Sequence, residues 1–236
     1  MKISKNFLAR KLHQLTGIVP LGIYFLVHMF TNAKAMYGRE VFEDAVADIH
    51  HIPFLLFIEV FGVFLPLLFH SVYGIIISAE ARVNNASYNY GRNWFYLFQR
   101  ITGVFLFLFL LFHILHLRFG LIPGLTDIAV AGNAYRSFGI VAGDFRSLGI
   151  LIFYILGVAA TAWHFGYGLW LFAVDWGIVI GEKAQKVALY ICLLVALGAF
   201  FIGTQAAVSF IRPCGMLPEI LCDSPKSVRR TAPQSF

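Results

Sequence analysis

The chain has 236 residues, is 59% hydrophobic and is only 13% charged, where a water-soluble domain carries about 25% charged residues. This excludes an ordinary soluble enzyme, and the apolar surplus falls in long blocks, the pattern of a membrane protein. The net charge of +6 does not signal nucleic acid, because the basic residues are not clustered with aromatics in a soluble frame; they fit membrane topology instead.

In chain order, residues 1–11 form a basic arm with Lys2, Lys5, Arg10 and Lys11. Residues 12–33 are apolar, too long for the hydrophobic core of a signal peptide, have no clear A-x-A site and contain His28; they read as a retained first span over 15–32. The mixed loop 33–53 carries Glu40, Glu43, Asp44 and Asp48 and has room for a short surface helix. The second span covers 54–79, with a kink expected at Pro66. A polar connector, 80–93, precedes the third span at 94–117. The connector 118–146 is punctuated by Gly and Pro, and the fourth span follows at 147–174. A polar turn with Asp175 and Glu182 leads to the fifth span at 187–211. The tail from 212 to 236 is rich in Pro and Ser and reads as an extracytoplasmic, poorly ordered segment after a single domain at 1–211. Each block is long enough to cross ~30 Å of hydrocarbon as a helix. The predicted fold is an all-α integral membrane protein with five transmembrane helices, the first four forming a bundle. Lys and Arg weigh the N-terminal arm and the connectors on its side, which predicts a cytoplasmic N-terminus.

Two internal echoes organise the chain. His70-Ser71-Val72-Tyr73-Gly74 and His164-Phe165-Gly166-Tyr167-Gly168 both spell His-x-x-Tyr-Gly. Gln14-Leu15-Thr16-Gly17 leads to His28, and Gln99-Arg100-Ile101-Thr102-Gly103 leads to His113. The result is a duplicated helix pair with one histidine per helix. His28 and His113 each lie about five residues before the outer end of a span, and His70 and His164 about ten before the inner end. At 1.5 Å per residue the two levels are roughly 15 Å apart. A six-coordinate b-type haem takes one imidazole on each face from two helices at one depth. The pattern therefore predicts two haem b groups, with these four histidines as iron ligands. Gly17, Gly103, Gly74 and Gly168 would let a flat plate approach the helices. The three cysteines, Cys192, Cys214 and Cys222, include no C-x-x-C-H, so covalent haem attachment is excluded; the last two leave an outer disulfide open.

Lys11-Leu12-His13-Gln14-Leu15-Thr16-Gly17, Phe64-Leu65-Pro66-Leu67-Leu68-Phe69-His70 and the stretch from Arg92-Asn93-Trp94 to Thr102-Gly103 resemble the dihaem cytochrome b anchor of bacterial succinate dehydrogenases. The likeness is to the single five-helix type and, more distantly, to dihaem fumarate reductases. It covers residues 8 to 200 or so. The resemblance implies an anchor for a flavoprotein and an iron–sulfur protein on the cytoplasmic face of the bacterial inner membrane, surrounded by lipid. It further implies electron transfer between succinate or fumarate and a quinone, typically menaquinone, with the dicarboxylate held by another subunit. The inner haem would take His70 and His164, and the outer haem His28 and His113. A fumarate reductase Glu used for proton transfer corresponds here to Ala162, which puts that path in doubt. An outer quinone site would couple turnover to the membrane potential at ~2.3 kcal/mol per charge per 100 mV.

Other residues carry weaker expectations. Glu59 is a carboxylate inside a span near the outer level and is a candidate quinone residue, against the plainer reading of a solvated interfacial carboxylate. His13, Arg10 and Arg100 are candidates for the inner haem's propionates, His116 and Arg118 for the outer haem's; topology anchoring is the alternative. Tyr73 and Tyr167 read as packing aromatics, and His50 and His51 as solvated loop residues. The rival functions are a cytochrome b anchor of a different quinone-linked dehydrogenase, whose partner would be expected on the other face, and a haem-free transporter, towards which only Pro66 and Glu59 point.

Overall fold

The computed structural model describes residues 5–126, 128–212 and 215–217. Among them every regular element is helical, and five helical stretches are long and apolar enough to cross a bilayer: Asn6–Tyr37, Leu55–Glu80, Gly91–Arg118, Leu148–Asp175 and Glu182–Ser209. Their side chains are apolar on most faces, as a lipid-embedded helix requires.

The first stretch is two helices, α1 (Lys5–Ile18) and α2 (Leu21–Ala33), followed by a 3₁₀ turn at Lys34–Tyr37. The break falls at Pro20, which has no N–H to continue the ladder. The helix also begins seven residues earlier than its apolar run, because the basic arm is amphipathic enough to continue it. Loop 33–53 holds α3 (Arg39–His50). It is not a surface helix alone: Phe42, Glu43 and Ala47 are buried.

The second stretch begins with α4 (Leu55–Phe57), widens to π-helical turns over Ile58–Phe64 and tightens into α5 (Leu65–Glu80), with Pro66 in its first turn. The kink expected at Pro66 is thus taken up as a π segment just before it, a common way to absorb a lost ladder bond. The third stretch, α6 (Gly91–His113), ends in a second π segment, Ile114–Arg118. The connector after it contains α7 (Ser137–Phe145), whose short apolar pattern did not stand out from its Gly-rich surroundings. The fourth and fifth stretches are α8 (Leu148–Asp175) and α9 (Glu182–Ser209).

The spans alternate in direction. Arg10 on α1 pairs with Glu80 at the end of α5, and Lys11 and Gln14 bond to Asp175 at the end of α8. These ends define the N-terminal face. At the far face Arg118 pairs with Glu59 and His116 with Asp144, and α3 and α7 cover the bundle with a core of Phe42, Val141, Phe145 and Phe210. Helix α9 lies tightly along α8: a Cβ at Gly166 would stand 2.6 Å from the Ala196 Cβ and 2.8 Å from the Cys192 carbonyl. The start of the tail also has structure, since the Met216 N–H donates to the Gln205 side chain at 2.7 Å. Residues 213, 214 and 218–236 lie outside the described residues, and with them Cys214, Cys222 and any bridge between them.

Candidate functional site

Helices α1, α2, α5, α6 and α8 enclose a cavity of about 880 Å³ that runs between the two faces, towards the upper end of the ~300–1,000 Å³ of ordinary ligand sites. His13, His28, His70, His113 and His164 all line it. The lining is not confined to the first four spans: Gly203, Ala206 and Ala207 from the fifth stretch, and Val141 and Phe145 from α7, also contribute.

The structure brings the histidines together in the predicted pairs. His70 and His164 have ring centroids 6.3 Å apart at 86°. His28 and His113 are 5.8 Å apart at 85°. Among the described residues no group of three or more His, Cys, Asp or Glu converges; the geometry is one of histidine pairs.

The N-terminal pair is held by a device that occurs twice. The His70 Nδ1–H donates to the His13 carbonyl at 2.9 Å, and the His164 Nδ1–H donates to the Gln99 carbonyl at 3.2 Å. Each of these carbonyls stands four residues before a glycine, Gly17 or Gly103. A Cβ on Gly17 would lie 2.6 Å from His70 Cε1, and one on Gly103 would lie 2.9 Å from His164 Cε1. The hydroxyls of Thr16 and Thr102 bond to the same two carbonyls. Bonding Nδ1 to a carbonyl fixes the tautomer and leaves Nε2 with its lone pair, as metal-ligating histidines require. The register of the duplication is therefore set by the glycines, and His13 occupies the place of Gln99. The two glutamines differ in role: Gln99 donates to the His164 carbonyl at 3.0 Å, while Gln14 bonds to Asp175 and accepts from Trp176 Nε1 at 3.1 Å.

The far pair is held by rings. Tyr24 stacks beside His28 with centroids 5.7 Å apart, and His113 lies between Phe109 at 5.9 Å and Tyr154 at 5.7 Å. His113 Nδ1 is buried without a hydrogen-bond partner. An unpartnered buried polar atom is costly, so an imidazole of this kind fits a bound group. Carbonyl-fixed tautomers, glycines against the rings, an orphaned ring nitrogen and paired imidazoles together form a donor set suited to haem.

His13 stacks on His70 at 4.1 Å and 14°. Its Nδ1, Gln99 Oε1 and Arg100 Nε are buried without partners on the cavity wall, and Arg100 lies over Tyr96 at 4.0 Å. Arg10 is instead spent on Glu80 at 2.9 Å. At the far face Arg118 Nη2 donates to Glu59 at 2.6 Å, so Glu59 is an ion-paired, half-buried group rather than a solvated one. His116 is wholly buried and both its ring nitrogens are occupied; it faces away from the propionate role expected of it. Tyr167 is buried in a stack between Trp163 and Trp170, and neither it nor Tyr73 lines the cavity. Asp144, Tyr154 and the Nδ1-accepting carbonyls were missed in the sequence. The carbonyls leave no signal there, although the shared spacing from His13 to Gly17 and from Gln99 to Gly103 was available.

Five apolar helices around a cavity walled by two histidine pairs define a multi-pass membrane protein built to hold a prosthetic group. No family model matches the chain. It is 35% identical, over 211 residues, to the succinate dehydrogenase cytochrome b558 subunit of Bacillus subtilis (strain 168), a match that covers 89% of this chain and all of that protein. The chain belongs to the family of succinate dehydrogenase cytochrome b subunits. It is a membrane cytochrome b anchor of that oxidoreductase, associated with the complex's other subunits.

Proposed function

We propose that the chain is the dihaem anchor of a succinate:menaquinone oxidoreductase, with its N-terminal face in the cytoplasm against the flavoprotein and iron–sulfur subunits. His70 and His164 hold a haem b near that face, and His28 and His113 hold a second near the far face. A bound haem b supplies one-electron iron chemistry, which lets the subunit carry electrons between the iron–sulfur partner and a quinone. The observation that carries this reading is the pairing of four imidazoles on a single cavity wall, two of them fixed through Nδ1 to backbone carbonyls. His13 and Arg100 contribute unpartnered donors suited to the carboxylates of the N-terminal-face haem.

Glu59 and Arg118 would form the quinone end. Both line the cavity, both lie on π segments, and they pair at 2.6 Å. A polar pair at the mouth of an apolar cavity suits a ring with two carbonyl oxygens.

The test is haem per chain in the purified complex, followed by His→Ala variants. Two haems, with one spectral component lost in His28→Ala or His113→Ala and the other in His70→Ala or His164→Ala, is the expected result. A haem-free wild-type protein, or variants that lose haem without respecting the pairs, would overturn the reading.

A further inference from the structure

A chain of three side chains, two buried and the third partly exposed, joins the haem cavity to a second opening at the far face. His116 is fully buried. Its Nδ1 lies 2.7 Å from the Tyr154 hydroxyl, and its Nε2 lies 2.9 Å from Asp144 Oδ2. The other Asp144 oxygen accepts the Thr126 N–H at 3.1 Å. Tyr154 lines the haem cavity, whereas Asp144 lines a separate cavity of about 300 Å³ whose rim includes the exposed Arg39, Tyr135 and Arg136. His116 lines neither and bridges the two.

A packing role alone does not call for these residues. A Phe at 154 and an apolar residue at 116 would fill the same space, and apolar replacement of a buried polar cluster is often neutral or stabilising. What an unbroken line of hydrogen bonds between two cavities provides is passage for a proton through a wall that excludes water. An imidazole suits the middle of such a line because it takes a proton at one nitrogen and gives one up at the other.

We propose that Asp144, His116 and Tyr154 form a proton relay between the far-face solvent and the cavity, exchanging the protons of quinone chemistry. This rests on the quinone-reducing role proposed above. A quinone that takes up two electrons must take up two protons. On import, Asp144 takes a proton from the far-face opening and passes it to His116 Nε2. The Nδ1 hydrogen moves to the Tyr154 oxygen, and the Tyr154 hydroxyl hydrogen goes to a quinone oxygen as the electrons from succinate arrive. Asp144 returns to a carboxylate, and each member ends with the charge it had at the start. With Tyr154 donating to Nδ1 and Nε2–H donating to Asp144, the same atoms run the reverse step for a quinol.

The experiment uses the whole complex in membranes, with Tyr154→Phe and Asp144→Asn. Assembly is read from haem content and from succinate-driven reduction of a soluble dye, which needs no quinone. The relay predicts that succinate-driven reduction of a short-chain menaquinone analogue falls at least about tenfold in both variants, in line with the ~10²–10⁴-fold worth of positioned proton transfer. It also predicts an enlarged solvent deuterium isotope effect, and partial rescue of Asp144→Asn by a small diffusible acid such as azide. A Tyr154→Phe complex with undiminished quinone reduction would overturn the proposal, as would a loss that only tracks lost haem. Tyr154→Phe removes a single hydroxyl, so it decides the matter even where Asp144→Asn fails to assemble. A wild-type complex without haem would instead remove the underlying functional reading.

Discussion

The approach of Gly17 to His70 gives the most direct test of how the N-terminal pair is built. In Gly17→Ala the new Cβ would stand 2.6 Å from His70 Cε1 and 3.1 Å from Nδ1. The ring must retreat by about 0.8 Å to reach ordinary contact, and it has little freedom to do so. Its Nδ1–H is bonded to the His13 carbonyl on the helix that carries Gly17, and the His13 ring covers one of its faces at 4.1 Å. Overpacking of this kind costs about 1–3 kcal/mol. Stretching the hydrogen bond costs about 0.5–1.5 kcal/mol more, and the better helix propensity of Ala returns about 1 kcal/mol. The net is about 1–3 kcal/mol, or roughly a 5- to 150-fold weaker hold at His70. Gly103→Ala, with its closest contact at 2.9 Å, should do the same to His164 more mildly, whereas Gly198→Ala, with nothing within 4 Å, should be neutral or stabilising. The assay is a reduced-minus-oxidised spectrum with haem extraction, together with thermal unfolding in detergent. A Gly17→Ala protein with both spectral components intact and an unchanged melting temperature would refute the close-approach argument.

Three further perturbations test other parts of the structure. Glu59→Gln removes the charge paired with Arg118 at 2.6 Å; because the pair is only half-buried, stability should change by no more than about 1 kcal/mol, while quinone reduction drops and haem content holds, and unchanged quinone turnover would remove Glu59 from the site. Gly166→Ala forces a Cβ against the Cys192 carbonyl and Ala196, so α9 should loosen from α8 at a cost of about 1–3 kcal/mol; lower detergent melting temperature and faster alkylation of Cys192 are expected, and wild-type values for both would contradict the packing. Glu43, outside the spans, is buried, and burial pushes its carboxyl above the usual range against the opposing pull of Arg39. A raised folded-state value makes Glu43 a stability cost that grows as pH rises through it, so Glu43→Gln should raise the melting temperature at pH 8 and make little difference at pH 4; an equal effect at both would show that charge is not the cause.

The span count and the histidine pairs were legible because both are periodic signals: long apolar blocks, and one histidine per helix at matched depths. The glycine approaches were legible as small residues but not in their function, since Gly17 and Gly103 clear space for histidines of neighbouring helices, not only for a cofactor. The break before Pro20 was hidden by an uninterrupted apolar run. The π segments at Ile58–Phe64 and Ile114–Arg118 have no compositional mark, yet they carry Glu59, His116 and Arg118. His116 was misread for the same reason: its position near a span end suggested a water-facing group, while its partners Tyr154 and Asp144 lie 38 and 28 residues away on elements whose approach no local pattern reveals.

The two histidine levels sit on a repeated helix-pair pattern but are finished by different means. At the N-terminal face the helices complete the site themselves, with a carbonyl, a threonine and a glycine repeated at the same spacing on α1 and α6. At the far face the repeat supplies only His28 and His113, and the rest comes from what lies between the spans. Helix α7 brings Asp144 to His116, and Arg118 reaches Glu59 across from the second stretch. A connector that reads as Gly and Pro punctuation is therefore part of the site. This division matches the chemistry the two ends would perform. Holding an electron carrier near the partner subunits needs rigid ligands, which helix backbones provide. Exchanging protons and admitting a quinone needs ionisable groups close to solvent, and at the far face the π turns bring Glu59 and Arg118 to the cavity while a connector brings Asp144 to His116.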